Sequence, residues 1–281
     1  MFRSLDHLIL MTRDLPSASS DYSKVFGCEP VWRGVHDGLG TENAIFSVNN
    51  TYLEILAPRA KGAGADFVNS VIDADGEGLA GLALETSDIG RLKKELSERK
   101  VPTKKIVSGA GLDSQQDKSR TWQNLFFSRD LTRGLFIFAI QHESEKLQKS
   151  EVSRSTIDRL DHVVVHTNDP DGFVSLYRDK FGIKLSLDQT VEKWGGRMLF
   201  FRLNRTTIEV IGKIEKDGIP KDSFWGLAWS VSDLKAVHRR LTDVGVEVSN
   251  IRDGRKPRTI VCTVKSHTRG VPTLLIEHLD R

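Results

Sequence analysis

The chain has 281 residues, 38% of them hydrophobic and 28% charged, with 41 basic against 38 acidic side chains for a net charge of +3. That length suits about two domains with real cores, and a balance so near neutrality, with no Lys/Arg block, argues against a nucleic-acid partner. Cys28 and Cys262 form neither a disulfide framework nor a metal-type pair, the first residues lack a signal-peptide pattern, and no apolar run reaches the ~18 residues that span a membrane, so the expectation is a cytoplasmic protein with no membrane partner.

Taken in chain order, Leu5 to Met11 is an apolar run that reads as a strand. Leu15 to Phe26 reads as a short helix, with Pro16 in its first turn, where a missing N–H costs little. Gly27 stops it. Pro30–Val35, Ala44–Val48 and Tyr52–Leu56 follow as strands, the last two joined by a tight turn at Asn49-Asn50. The unit is β-α-β-β-β. Arg59 to Asp75 reads as a polar connector. Gly78–Thr86 is then a strand, Ile89, Leu92 and Leu96 keep helical spacing, and Ile106–Gly109, Trp122–Phe127 and Leu135–Ile140 are strands. Residues 159–212 repeat the unit with a helix over Gly172–Lys180. Residues 224–279 repeat it again, with Leu234, Val237, Leu241 and Val244 as the helix stripe. The expected organisation is a domain over 1–143 (units 1–58 and 76–143), a Lys/Glu/Ser/Gln-rich linker over 144–158 and a second domain over 159–281 (units 159–212 and 224–281).

The repetition extends to chemistry-bearing residues. Leu5-Asp6-His7-Leu8 returns as Leu160-Asp161-His162-Val163, and Tyr52-Leu53-Glu54-Ile55 as Thr207-Ile208-Glu209-Val210, both at an offset of 155. Arg133-Gly134 returns as Arg269-Gly270 at an offset of 136, which places Gln141-His142 on Glu277-His278. A duplicated His and Glu on separate strands is a pattern suited to metal binding, although a His beside an Asp is also a common structural pair and a buried Glu needs a partner in any case.

Paired β-α-β-β-β units that open with Leu-Asp-His and close with an apolar-flanked Glu resemble the vicinal oxygen chelate superfamily, which includes glyoxalase I, extradiol dioxygenases and bleomycin-resistance proteins. The segment Gly34-Val35-His36-Asp37-Gly38-Leu39-Gly40-Thr41-Glu42-Asn43 resembles a narrower group, the glyoxalase-like domain family. The resemblance implies an α+β fold in which four βαβββ units pair into two half-open barrels, each with a divalent metal (Fe, Mn, Zn or Ni) on its floor. Carried onto this chain, the metal positions are His7, Glu54 and Gln141 in the first half and His162, Glu209 and Glu277 in the second, with Gly81 and Gly226 at the fourth places. His36 offers a further candidate, since His7, His36 and Glu54 would form a two-His, one-carboxylate set.

Function follows as an expectation: metal-dependent isomerase, lyase or dioxygenase chemistry on a small substrate with neighbouring oxygens, through an enediolate-type anion. Glu54, Glu209 and His36 are the candidate catalytic groups. Thr41, Asn43 and Tyr52 are candidate substrate contacts in the first half. Arg202, Trp225 and Trp229, with Trp194, Phe200 and Arg197 beside them, are candidates in the second. His142, His166, His238 and His278 are left without a role, His278 because strand alternation turns it away from Glu277. The alternative is a metal-free protein that sequesters a small molecule, which the glycines at 81 and 226 favour. Homodimerisation is open.

Overall fold

The computed structural model describes residues 1–115, 118–145, 147–191, 196–212 and 218–279. It opens with β1 (Ser4–Met11), α1 (Leu15–Phe26), β2 (Trp32–His36), β3 (Thr41–Ser47) and β4 (Tyr52–Pro58). The start of α1 is fixed by Asp14, whose side chain accepts from Ser17 N. Its end is fixed by Gly27 at φ +79°, a left-handed conformation that glycine adopts without Cβ strain. After it come α2 (Ala63–Asp75), β5 (Gly78–Glu85), α3 (Ile89–Glu98), β6 (Ile106–Asp113), β7 (Ser119–Phe126) and β8 (Phe136–His142).

The second half repeats the order: β9 (Arg159–Thr167), α4 (Pro170–Val174, running on as a π-helical segment Ser175–Lys180), β10 (Lys184–Val191), β11 (Gly196–Leu203) and β12 (Thr206–Gly212), then β13 (Asp222–Ser230), α5 (Leu234–Asp243), β14 (Arg252–Asp253), β15 (Thr259–Val264) and β16 (Thr273–His278). The chain therefore forms two mixed sheets with few helices, an α+β architecture. Among the described residues no helix is long and apolar enough to cross a membrane.

The two sheets differ in closure. Strands of the first half form a closed barrel in the order β1-β4-β3-β2-β6-β7-β8-β5. The expectation was a half-open barrel; the seam is shut by Gly34 pairing with Asp113 and Val35 with Leu112 across β2 and β6. Strands of the second half form an open sheet, β10-β11-β12-β9-β13-β16-β15-β14, with β10 and β14 at its edges.

Strand alternation sorts each strand into two environments. Leu8 and Leu10 of β1 face outward into the main core, together with Leu92 and Leu96 of α3, Val163 and Val165 of β9 and Leu241 of α5. That core is continuous across both halves. Phe26 of α1 meets Trp229 of β13 edge-on at 4.9 Å, Arg240 of α5 donates to Val25 O at 2.9 Å, and Arg133 grips the buried Asp222 through Nε and Nη2 at 3.0 and 2.9 Å. His7, Ile9 and Met11 face the barrel interior instead. There Ile9 and Met11 form a second cluster with Val68, Val71 and Ile72 of α2.

That helix corrects the sequence reading, which took Arg59–Asp75 as a connector. Ala65, Val68 and Ile72 keep i, i+3, i+7 spacing and are buried, but they stand among glycine, alanine and acidic residues that weaken the signal. The segment folds because the open mouth of the barrel offers an apolar surface to cover.

Candidate functional site

Asp6 is the residue that builds the site. On β1, Leu5 pairs with Leu84 and His7 with the next residue, Ala83, so Asp6 is an extra residue, a β-bulge. A bulge re-aims a side chain that strict alternation would send to the other face. Asp6 thus reaches the inside, where Oδ1 meets His7 Nδ1 at 2.6 Å and Oδ2 meets His142 Nε2 at 3.0 Å. His7 Nε2 lies 3.3 Å from Glu54 Oε2. The second half repeats the device: β13 pairs Ala228 with His162 and Trp229 with Leu160, leaving Asp161 as the extra residue. Its chain runs His278 Nε2–Asp161 Oδ2 at 2.7 Å, Asp161 Oδ1–His162 Nδ1 at 2.8 Å and His162 Nε2–Glu209 Oε2 at 3.4 Å.

His142 and His278 are therefore members of the two sites, and Gln141 and Glu277 are not. Gln141 Oε1 accepts from Ile89 N at 2.7 Å and Glu277 Oε2 from Leu234 N at 2.7 Å, each satisfying the first N–H of a helix on the outer face of its sheet. The register explains the one-residue error. His7 pairs with Tyr52 across parallel β1 and β4, and Gly81 with Phe136 across parallel β5 and β8, so Phe138 stands in the second unit where Glu54 stands in the first. His142, four residues on, keeps that inward parity. Gln141, three residues on, loses it. In the fourth unit Leu227 pairs with Thr273, which puts Leu274 in the place of Glu209 and gives His278 the same inward parity.

The two halves then part. In the barrel, Asn43 Nδ2 donates to Glu54 Oε1 at 2.6 Å and approaches His36 Nε2 at 3.4 Å, and His36 Nδ1 lies 2.9 Å from Thr41 Oγ1. His7, His36, Thr41 and Asn43 are all buried. They form one wall of a cavity of about 600 Å³ whose facing wall is aromatic, with Trp122 and Phe126 of β7 and Phe136 and Phe138 of β8, while Phe67 and Val68 of α2 also line it. Tyr52 stacks on His7 at 4.5 Å. In the open sheet, by contrast, Met198 pairs with Ile211 as Asn43 pairs with Leu56, so an apolar side chain replaces the amide. Arg202 is exposed and donates to Thr207 Oγ1. Arg197 is held by Asp188 and Asp171. Trp225 is half exposed and stacks on His166 at 5.5 Å. Trp229 is buried in the core on the opposite face from His162, which removes it from any site. Trp194 lies outside the described residues.

Electrostatics separate the two chains further. Burial alone would raise the Glu54 carboxyl, but the hydrogen bond and charge of His7 and the Asn43 hydrogen bond outweigh it and take it down to about 2. Burial would likewise lower His7, yet its two carboxylate partners push it up to about 9. The pair is an imidazolium clamped between two carboxylates. Burial lowers His36, which keeps that ring neutral. On the open sheet, burial raises Glu209 and the charge of His162 only partly offsets it.

The implied metal is tested by these donors. His7 Nε2 and Glu54 Oε2 converge, with Asp6 behind His7 in the orienting position typical of a ligating imidazole. A third donor does not join them: Asn43 stands between Glu54 and His36, Gly81 and Phe138 occupy the places related by the repeat, and among the described residues no group of three His, Cys, Asp or Glu is placed to hold an ion. Three protein ligands are the usual minimum for a catalytic site, so the residues do not fit the metal as arranged.

Four passes of β-α-β-β-β, each half opening on a bulged Leu-Asp-His strand, are the architecture of the vicinal oxygen chelate class. The chain belongs to the glyoxalase-like domain family, whose model matches residues 5–158; residues 161–263 match the glyoxalase/bleomycin resistance protein/dioxygenase superfamily. No curated protein matches the sequence. Among solved structures it is similar to a hypothetical protein from Staphylococcus aureus (15% identity over 97% of this chain and 98% of that one, TM-score 0.64). It is similar also to a mutant of 4-hydroxymandelate synthase from Streptomyces coelicolor (14%, 100% and 95%, TM-score 0.70). These likenesses show the fold.

Proposed function

We propose that the chain is a small-molecule enzyme of isomerase or lyase type, working by proton transfer at His36 inside the closed barrel. The observation that carries this reading is the direction of the hydrogen-bond chain from Glu54 to Thr41. An ionised carboxylate only accepts, so Asn43 must present its NH₂ group to Glu54. The same NH₂ group then faces His36 Nε2, so Nε2 must be the unprotonated nitrogen and Nδ1–H donates to Thr41 Oγ1. Thr41 thereby holds a neutral imidazole in one tautomer, with its lone pair directed at the Asn43 side of the cavity. At 3.4 Å Asn43 makes a long hydrogen bond to that lone pair, which a bound substrate would displace.

In this reading His36 Nε2 removes a proton from a bound substrate and returns it to another atom (isomerase) or to a leaving group (lyase). Glu54 is not the base. Its oxygens are committed to His7 and Asn43, and it acts by positioning Asn43. The superfamily's divalent ion would supply Lewis-acid stabilisation of a substrate oxygen, but the donors here stop at two.

A second reading, a protein that binds and sequesters a small molecule, is favoured by Gly81 and Phe138 standing where a symmetric site would carry ligands. Deuterium exchange separates the two. With phenylpyruvate and 4-methyl-2-oxopentanoate in D₂O, followed by proton NMR, the wild type should incorporate deuterium beside the carbonyl faster than buffer. His36→Gln should slow that excess by about 10²-fold or more, the usual scale of a general base. Binding of either compound without excess exchange would favour sequestration.

A further inference from the structure

Arg120 is the buried group for which the site as described has no use. It lies on β7 with the inward parity of Trp122 and Phe126, is only 8% exposed and lines the cavity. Among the described residues it makes no ion pair. Among them its single side-chain hydrogen bond is a long one, Nη2 to His142 Nδ1 at 3.4 Å, and its buried Nε has no partner there. A guanidinium carries five N–H donors, and leaving buried donors unmatched is costly, the more so for a charged group.

Its surroundings say which part of the group is left unmatched. Arg120 lies 5.7 Å from the Trp32 ring centre and 5.9 Å from that of Tyr52. Aromatic faces attract the flat face of a guanidinium, but they offer nothing to N–H groups in its plane. What that edge lacks is an acceptor in the same plane. A carboxylate supplies one, since its two oxygens match the guanidinium fork.

We propose that Arg120 receives the carboxylate of an aromatic or similarly apolar monocarboxylic acid, the substrate class of the closed barrel; this rests on the reading of that barrel as a small-molecule site. The apolar body would lie against Trp122, Phe126, Phe136 and Phe138. Charge favours one carboxylate over a phosphate dianion. Asp6 and Glu54 on this wall are already paired with His7, so Arg120 is the cation there that stands outside any ion pair among the described residues and can match one carboxylate. A second negative charge on the ligand would have no partner there.

The test uses acid and amide pairs of one shape on the full chain at neutral pH: phenylacetate, 3-phenylpropanoate and indole-3-acetate, each against its primary amide, by titration calorimetry. The wild type is expected to bind at least one acid tenfold or more tighter than its amide. Arg120→Gln should abolish that preference by weakening the acid far more than the amide, and the amide binding that remains reports an intact cavity. Equal binding of acids and amides by the wild type, or a preference that survives Arg120→Gln, overturns the carboxylate assignment and leaves the small-molecule reading standing. Failure of both acids and amides to bind the wild type overturns the two together.

Discussion

His7 is held between two carboxylates in the barrel, and the consequences are measurable without knowing a substrate. A histidine whose pKa rises from 6.5 to about 9 on folding stabilises the fold fully below 6.5, and that contribution disappears as pH climbs through 9. Glu54, taken from 4.5 down to about 2, contributes above 4.5 and loses its contribution as pH falls through 2. The melting temperature should therefore decline between pH 6.5 and 9 in the wild type. Glu54→Gln, which removes one of the two charges holding the His7 proton, should flatten that decline while lowering stability at neutral pH by about 1.5–3 kcal/mol, the usual worth of a hydrogen bond to a charged group. A melt series from pH 6 to 10 checks both. An unchanged alkaline slope in Glu54→Gln would remove His7–Glu54 as its source.

At the scale of elements, the strands β1 and β9 matter because each carries one residue too many. Alternation predicts that Asp6 and His7 point to opposite faces, and the bulge puts both on the inside. This is why the site was only partly legible in the sequence. His7, Glu54, His36, Thr41 and Asn43 were readable from the Leu-Asp-His repeat and the His-x-x-x-x-Thr-x-Asn run, and the structure brings them together. The partner on the last strand was misassigned by one residue, because an internal repeat fixes which residues correspond but not which of two neighbours faces inward. Arg120 was missed because nothing local marks it; its meaning comes from Trp32 and Tyr52, which are far from it in sequence. Helix α2 was missed because its apolar stripe is thin and its partner, the barrel mouth, exists only once the sheet has closed. The corrected parity makes a prediction of its own. Gln141→Ala and Glu277→Ala should each destabilise the fold by about 0.5–2 kcal/mol through loss of a helix-start contact, measured by urea unfolding, with no change in ligand affinity. A loss of binding in Gln141→Ala with stability intact would return Gln141 to the site.

At the scale of the whole molecule, duplication has given two copies of one hydrogen-bonded chain and two different surroundings for it. The first copy is enclosed by a closed barrel and by α2, and is extended by Asn43, His36 and Thr41. The second lies on an open sheet, where Met198 ends the extension. A core continuous between the halves and the Arg133–Asp222 pair that bridges them tie the two together. In the proposed function the first copy alone carries the chemistry and the second half is a folded support for it. The most direct test is a methyl NMR titration of the isoleucine-labelled full chain with phenylacetate, 3-phenylpropanoate and their amides. Ile9, Ile45 and Ile140 line the barrel cavity, while Ile211 and Ile276 lie on strands of the open sheet. The account predicts saturable shifts at Ile9, Ile45 and Ile140 with Ile211 and Ile276 unmoved; saturable shifts at Ile211 and Ile276 alone, or none anywhere at millimolar ligand, would contradict it.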